Sequence, residues 1–156
     1  MPPEVRTIEP DAIPEKADVA VVVSRYNRWI TDRLLQGAVE SFERLAPRGR
    51  LTVIPVPGSM ELPVAAKVAA ASGDYDAVVC LGCIIRGETE HDRHLASAVA
   101  QALAQVGIEE EIPVTFGVLT VENAEQAEAR AGGPHGNKGA ESMEAALGLL
   151  AVLREI

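Results

Sequence analysis

The chain reads YDAVVCLGCIIRGETEH over residues 75–91. The apolar, β-branched run at residues 75–81 predicts a buried strand, and the glycine-containing residues after it predict a loop. Thr89 is followed three residues later by Asp92, a spacing that resembles a capping box, so we expect a helix to begin there. A strand, a loop and a helix in this order are the repeating unit of a parallel α/β sheet.

The predicted loop suits an anion. Backbone N–H groups at a strand-to-helix junction point outward and attract negative charge. Gly82 and Gly87 carry no Cβ, so a ligand can approach the backbone closely. His91 follows, and histidine is the side chain here that readily exchanges protons near neutral pH. The segment therefore predicts a phosphate site beside a proton carrier, although a lone histidine at a helix start is more often a surface residue.

The rest of the chain alternates in the same way. Strands are predicted at residues 17–23, 51–56 and 112–119, and apolar residues at helical spacing predict helices over residues 30–45, 60–71, 89–106, 123–131 and 140–154. Such alternation predicts a three-layer α/β/α sandwich with a four-stranded parallel sheet. Residues 1–16 contain four prolines and are predicted to be an extended N-terminal arm, followed by one domain at residues 17–156.

The composition is that of a soluble globular protein, with 47% hydrophobic and 24% charged residues. A net charge of −9 disfavours nucleic-acid binding, because nothing offsets the repulsion of phosphates. No apolar run approaches the roughly 20 residues that span a bilayer. The N-terminal residues lack the basic and apolar segments of a secretory signal. We therefore expect a cytoplasmic protein that binds neither nucleic acid nor membranes.

Two alternative chemistries fit the spacing less well. Cys80 and Cys83 form a C-x-x-C pattern, but in an extended strand they lie about 10 Å apart on opposite faces, too far for a disulfide. His91 and His94 share one face of the predicted helix, yet the familiar zinc spacing is four residues, with a further ligand elsewhere. The third histidine, His135, lies in a distant turn. We expect neither redox chemistry nor a metal.

The predicted topology brings three loops to one edge of the sheet, because right-handed crossovers place the carboxyl ends of all parallel strands together. These loops are residues 24–29, 57–61 and 83–91. Tyr26 or Trp29 in the first can stack on a flat heterocycle, Glu61 in the second can bind hydroxyl groups, and the third can hold an anion. Together they predict a pocket for a planar polar compound and a phosphate, as is usual in small-molecule enzymes.

Several ordered motifs resemble those of the lumazine synthase family. They read RYN at 25–27, VPGSMELP at 56–63, LGCIIRGETEH at 81–91, FGVLT at 116–120, EQA at 125–127, RAG at 130–132 and GNKGA at 136–140. The resemblance covers about residues 21–150. It implies a flavodoxin-like fold and the condensation of 3,4-dihydroxy-2-butanone 4-phosphate with 5-amino-6-ribitylamino-pyrimidinedione in riboflavin biosynthesis. It also implies that no metal or organic cofactor takes part.

The resemblance further implies roles for individual positions. The substrate-binding set is Tyr26, Ser59, Met60, Glu61, Cys83, Ile84, Ile85, Glu88, Thr89, Phe116, Arg130, Lys138 and Glu141. Tyr26 would stack on the pyrimidine, residues 59–61 would hold the ribityl chain with Phe116 nearby, and residues 83–85 would present backbone groups to the pyrimidine edge.

The same resemblance implies how the phosphate and the protons are handled. Residues 88 and 89 would offer backbone N–H groups to the phosphate, together with the Arg130 side chain. His91 would be the catalytic proton-transfer residue. Glu141 would orient it, and Lys138 would line the site.

Family members form pentamers, and many assemble twelve pentamers into a hollow icosahedral shell. The resemblance therefore implies a homo-oligomer with active sites between subunits. The turn at residues 132–137 carries no insertion, which favours the 60-subunit shell over a free pentamer or decamer.

Five positions depart from the usual family pattern. Asp92-Arg93-His94 stands where aromatic, acidic and aromatic residues are usual, Glu90 replaces a common proline or threonine, and Met60 replaces a common phenylalanine. None of these changes removes the proton carrier or the phosphate donors, so we expect activity. Two other functions stay open from the sequence alone. One is a module that binds a phosphorylated flavin without chemistry, and the other is a container that has lost catalysis.

Overall fold

The computed structural model describes all 156 residues. Its elements, in chain order, are β1 (Val19–Ser24), α1 (Arg28–Leu45), β2 (Leu51–Val56), a 3₁₀ turn (Ser59–Glu61), α2 (Leu62–Ala71), β3 (Ala77–Ile85), α3 (His91–Glu110), β4 (Val114–Val121), α4 (Ala124–Ala129), β5 (Ala131–Gly133), β6 (Gly136–Asn137) and α5 (Lys138–Glu155). Residues 1–18 contain no helix or strand and are largely exposed, although Ile13 packs against the core.

The main sheet has four parallel strands in the order β2-β1-β3-β4. Every residue of β3 except the last is buried, because helices cover both faces of the sheet. Continuous burial of this kind is typical of parallel strands inside a sandwich. The predicted three-layer, flavodoxin-like fold is confirmed.

Two apolar cores lie on opposite faces of the sheet. In β1, alternate residues Val19, Val21 and Val23 pack with α1 and α5, whereas Ala20 and Val22 pack with α2 and α3. The same alternation separates the two cysteines of β3. Cys83 belongs to the first core and Cys80 to the second, and both are free thiols. The expectation that they face opposite sides and form no disulfide is confirmed.

The third strand is longer than predicted. It continues past Leu81 to Ile85, because the apolar residues after Gly82 pair with β4 as far as Val121. Gly82 is therefore buried within the strand and is not part of a loop. A Cβ at this position would lie 2.8 Å from the Ser59 hydroxyl oxygen, so the glycine makes room for the 3₁₀ turn.

The predicted capping box is wrong. Helix α3 begins at His91, and the residue at its N-cap position, Glu90, makes no side-chain capping bond. The Thr89 hydroxyl accepts a hydrogen bond from the His91 N–H at 3.3 Å. The Asp92 carboxylate accepts from the Gly87 N–H and so binds the loop, not the end of the helix.

The turn predicted at residues 132–137 is a short antiparallel hairpin of β5 and β6. Gly132 and Gly136 both have positive φ angles, of 101° and 82°, which glycine adopts without steric cost. No helix of the chain combines the length and the apolar character that crossing a membrane requires.

Candidate active site

Asn27 fixes the loop that follows β1. Its backbone is left-handed, with φ 59° and ψ 46°, a conformation in which asparagine is enriched among non-glycine residues. Its side-chain Nδ2 donates to the carbonyl oxygen of Cys83 at 2.9 Å, which ties the loop to β3. The Tyr26 N–H donates to the Ser24 hydroxyl at 3.2 Å, and the Tyr26 side chain is 71% exposed. The ring is thus free to stack on a ligand.

The 3₁₀ turn supplies the second group of site residues. Ser59 is buried against Gly82, whereas Met60 is 63% exposed and Glu61 is half-buried. Helix α2 starts after this turn with Pro63 near its first position, where its missing N–H costs nothing. The turn therefore presents a carboxylate and an apolar side chain to solvent next to β3.

The end of β3 has unpaired backbone on one side. The strand pairs with β1 only as far as Leu81, but with β4 as far as Ile85. Along residues 82–85, the strand edge that faces away from β4 has no strand partner. On this edge, the Asn27 side-chain amide donates to the Cys83 carbonyl. This strip of main chain is available to hydrogen-bond the edge of a ligand.

The loop after β3 leaves three consecutive N–H groups free. The Arg86 N–H donates to the Val121 carbonyl at 2.8 Å, and the Gly87 N–H donates to Asp92. The N–H groups of Glu88, Thr89 and Glu90 donate to no acceptor in the chain. Free N–H groups next to the N-terminus of a helix form a favourable site for an anion.

His91 is exposed at the first position of α3, directly after this loop. Its imidazole makes no hydrogen bond or ion pair within the chain. It can therefore reach a ligand without first breaking a contact.

A second group of site residues forms around the β5–β6 hairpin. The Lys138 N–H donates to the Arg130 carbonyl at 2.9 Å, so the hairpin brings these two residues side by side. The Lys138 ammonium lies 3.8 Å from a carboxylate oxygen of Glu141. Together with His135 and Gln126 they line a cavity of about 520 Å³ along the end of β4. Two cations there can bind a phosphate.

Asn137 anchors this second group to the rest of the fold. Its side-chain oxygen caps α5 by accepting from the N–H groups of Gly139 and Ala140, at 2.9 and 3.1 Å. Its Nδ2 donates to the Arg33 carbonyl at 3.0 Å. The side chain packs directly on Gly37, where a Cβ would lie 2.3 Å from the amide oxygen.

The remaining predicted residue, Phe116, lies on the edge strand β4 opposite Cys80. Its ring is partly buried against the core formed with α2 and α3. Because it is only partly buried, part of this residue remains accessible to solvent.

Within one chain these residues form two separate groups. Loop residues 86–90, with Asp92 and Arg93 but without His91, border a cavity of about 550 Å³. This cavity meets the Arg130 cavity only at Thr120 and Val121. Neither cavity is lined by Tyr26, Ser59 or Glu61. We call residues 26, 59–61, 83–85, 88, 89 and 91 the loop group, and residues 130, 138 and 141 the hairpin group. Phe116 lines neither cavity and belongs to neither group. Glu141 lies with Lys138 in the hairpin group and not beside His91 in the loop group.

The side chains that can bind metals are scattered. No group of three or more histidine, cysteine, aspartate or glutamate side chains is arranged to hold a metal ion.

Comparison with protein families identifies the chain. Residues 16–154 match the family model of 6,7-dimethyl-8-ribityllumazine synthase. The chain belongs to the lumazine synthase family. The match covers almost the whole sequence, so it includes both groups of site residues and all four strands of the main sheet.

Membership in the lumazine synthase family confirms the predicted enzyme class. The family consists of transferases that act in riboflavin biosynthesis. It also confirms the resemblance drawn from the motifs. For this family, small-molecule substrates and oligomeric assembly are the rule.

Three supporting residues were missed by the sequence reasoning. Asn27, Asp92 and Asn137 each bind backbone groups of the segments that carry the loop group or the hairpin group. The asparagines lie inside quoted motifs, next to Tyr26 and Lys138, and an asparagine before a helix is a signal for a cap or a left-handed turn. The sequence spacing predicts a capping box for Asp92, whereas in the structure Asp92 binds the Gly87 N–H.

Proposed function

We propose that the protein is a 6,7-dimethyl-8-ribityllumazine synthase. In this proposal it condenses 3,4-dihydroxy-2-butanone 4-phosphate with 5-amino-6-ribitylamino-pyrimidinedione, without a metal or organic cofactor. The observation that carries the proposal is the pair of free N–H groups at Glu88 and Thr89, directly before the exposed imidazole of His91. An anion site beside a proton carrier is what this reaction requires of the enzyme.

The loop group suits the pyrimidine substrate. The exposed ring of Tyr26 can stack on the heterocycle, and the unpaired backbone of Cys83, Ile84 and Ile85 can bind its edge. Residues 59–61 offer a hydroxyl, a thioether and a carboxylate to the ribityl chain, whose hydroxyls both donate and accept hydrogen bonds. Phe116 would lie near this chain.

The phosphate of the second substrate would be shared between the two groups. Glu88 and Thr89 supply backbone donors, and Arg130 supplies a guanidinium whose fork matches phosphate oxygens. Lys138 adds a second positive charge, and Glu141 binds that lysine. The two substrates would then meet beside His91.

The proposed chemistry begins when the 5-amino group attacks the ketone, and water leaves as the Schiff base forms. Loss of a proton from the neighbouring carbon then expels the phosphate and leaves an enol, which tautomerises to a new carbonyl. The ribitylamino nitrogen closes the ring on this carbonyl, and a second water is lost. Each stage moves a proton, and His91 is the group that accepts and returns it. A positioned acid–base of this kind typically contributes roughly 10² to 10⁴-fold to the rate.

We also propose that the site forms between subunits of a pentamer, twelve of which assemble into a 60-subunit shell in the cytoplasm. The separation of the loop and hairpin groups within one chain supports a shared site. An apolar stripe also supports assembly: Met60, Val64 and Val68 lie one turn apart, and each is more than 60% exposed. Sedimentation velocity measures the particle size, and a species of pentamer size would contradict the shell.

The turnover of both substrates by the purified protein tests the central proposal. We expect formation of the lumazine product, which is followed by its absorbance. A protein that binds riboflavin phosphate but forms no product would be a binding module, and an assembled shell without product would be a container. Either result would contradict the synthase.

A further inference from the structure

The loop between β3 and α3 is held by one side chain of the helix that follows it. The Asp92 carboxylate lies in the first turn of α3 and reaches back to accept the Gly87 N–H at 2.5 Å. The other end of the loop is fixed by the backbone bond from Arg86 to Val121. Asp92 is half-buried, whereas Gly87, Glu88 and Thr89 are exposed.

This bond determines which donors of the loop stay free. Four consecutive N–H groups, those of residues 87–90, precede the helix. A carboxylate accepts hydrogen bonds and donates none, so Asp92 occupies the first of the four and leaves the other three. Without it, the loop between Arg86 and His91 would keep only the weak 3.3 Å contact between Thr89 and the His91 N–H.

We propose that Asp92 is a positioning residue for the phosphorylated substrate. It holds Gly87 so that the N–H groups of Glu88 and Thr89 are already ordered when the phosphate arrives. This inference rests on the proposed function, because it assigns a role at the same phosphate site. It also gives a role to one of the positions where this chain departs from the usual family pattern.

Two effects of the carboxylate oppose each other. Ordering the loop in advance lowers the entropy cost of binding, whereas a negative charge near the site repels the phosphate. Glu90 separates these effects because it is a matched control. It is an exposed carboxylate of the same loop, two residues away, and it makes no side-chain capping bond. Removing Glu90 therefore changes the charge and leaves the bond to Gly87 intact.

The experiment compares Asp92→Ala, Asp92→Asn and Glu90→Ala with the wild type. Steady-state assays give the KM for each substrate, and titration with inorganic phosphate, followed by calorimetry, gives a Kd that does not depend on turnover. We expect Asp92→Ala to raise both the KM for the butanone phosphate and the phosphate Kd roughly tenfold, since one freed loop residue has an ordering cost of that size.

The KM for the pyrimidine should not change in Asp92→Ala. Asp92→Asn should stay within about threefold of the wild type, because the amide oxygen still accepts from Gly87. Glu90→Ala should bind phosphate equally or more tightly. If Asp92→Ala does not fold, Asp92→Ser replaces it, since serine is tolerated in a first helical turn and its hydroxyl is too short to reach Gly87.

The outcomes are distinct. If Asp92→Ala binds phosphate as tightly as Glu90→Ala does, or if both substrates lose affinity equally, Asp92 does not position the phosphate loop. A wild type that fails to bind phosphate overturns the inference as well. A wild type that forms no lumazine, yet shows the expected order of phosphate affinities, contradicts the synthase reaction and supports the positioning role.

Discussion

At the scale of single residues, His91 is the best candidate for proton transfer. It is exposed, it follows the free N–H groups of residues 88–90, and its imidazole has no partner in the chain. We expect His91→Ala to slow turnover by roughly 10² to 10⁴-fold. Some activity should remain, because holding two reactive substrates together already lowers the barrier. Single-turnover kinetics measure the loss, and circular dichroism checks the fold. An unchanged rate would exclude His91 from the mechanism.

Arg130 is exposed at the end of α4, with its backbone fixed by Ala127 and Lys138 and its guanidinium unpaired. We expect Arg130→Ala mainly to raise the KM for the butanone phosphate. Arg130→Lys should recover only part of the loss, because an ammonium does not reproduce the two parallel bonds of a guanidinium. Steady-state kinetics with each substrate varied in turn make the measurement. A change confined to the KM for the pyrimidine would contradict the phosphate role.

The two cysteine thiols titrate far from neutral pH. Burial raises the pKa of Cys80 to about 12 and that of Cys83 to about 11. An unfolded cysteine ionises at about pH 8.5. Above that pH, the folded state therefore binds more protons than the unfolded state does. The resulting contribution to stability is complete below about pH 8.5 and is lost as the pH rises toward the folded values.

We therefore expect the free energy of unfolding in urea to fall between about pH 8 and about pH 10. Cys80→Ala should be less stable at every pH because it leaves a small cavity, but its stability should fall less over this range. The pKa of Lys67 is raised by bonds to Glu110 and Glu109. Because Lys67 is present in both proteins, its contribution to the pH dependence of stability cancels in the comparison. Equal slopes for the two proteins would show that the Cys80 thiol does not contribute.

At the scale of elements, the junction of α1 and α5 depends on Asn137. Its side chain caps α5 and also binds the Arg33 carbonyl in α1. Asn137→Ala should lower the free energy of unfolding by about 1–2 kcal/mol, as expected for the loss of a helix cap. Asn123→Ala is the control, since Asn123 caps only the short helix α4. Urea unfolding of both variants makes the test, and an equal loss in the two would show that the bond to α1 adds nothing.

The elements themselves were largely predictable from the sequence. Apolar periodicity located all four main strands and the helices, because both signals follow directly from which faces are buried. The end of β3 was not predictable, since Gly82 looks like a loop residue until Ser59 is seen packing against it. The same limit applies to Asp92, whose partner Gly87 lies five residues earlier, outside any capping pattern.

The site residues were predictable in a different way. The quoted motifs contain every position of the loop and hairpin groups except Glu141, but single residues such as Tyr26 or Glu61 carry no distinctive signal of their own. Their role in a binding site is indicated by the topology, which brings the loop group together at the carboxyl ends of the strands. The neighbours of Arg130 follow from the β5–β6 hairpin, which the sequence showed only as a glycine-rich turn.

At the scale of the whole molecule, the two groups of site residues predict complementation. Wild-type sites would take the loop group from one subunit and the hairpin group from its neighbour. If His91→Ala and Arg130→Ala chains are unfolded together and reassembled in equal amounts, random mixing in a head-to-tail ring leaves roughly a quarter of the sites with both residues intact.

Activity near that fraction of the wild type would support a shared site. The controls are each variant reassembled alone and a mixture of the two variants assembled separately. Mass spectrometry of the intact particles verifies that the chains have mixed. If mixed particles remain as inactive as the separate variants, each site is contained in a single subunit.

The position of the hairpin group beyond the last strand of the sheet has a consequence for newly made protein. The four strands and both apolar cores are built from elements of one chain, so a chain leaving the ribosome can form them before it meets a neighbour. Under the proposed arrangement it would still lack half of each site until it met a neighbour. The first activity in a cell would then appear after a delay that shortens as synthesis speeds up, because encounters between chains follow the square of their concentration.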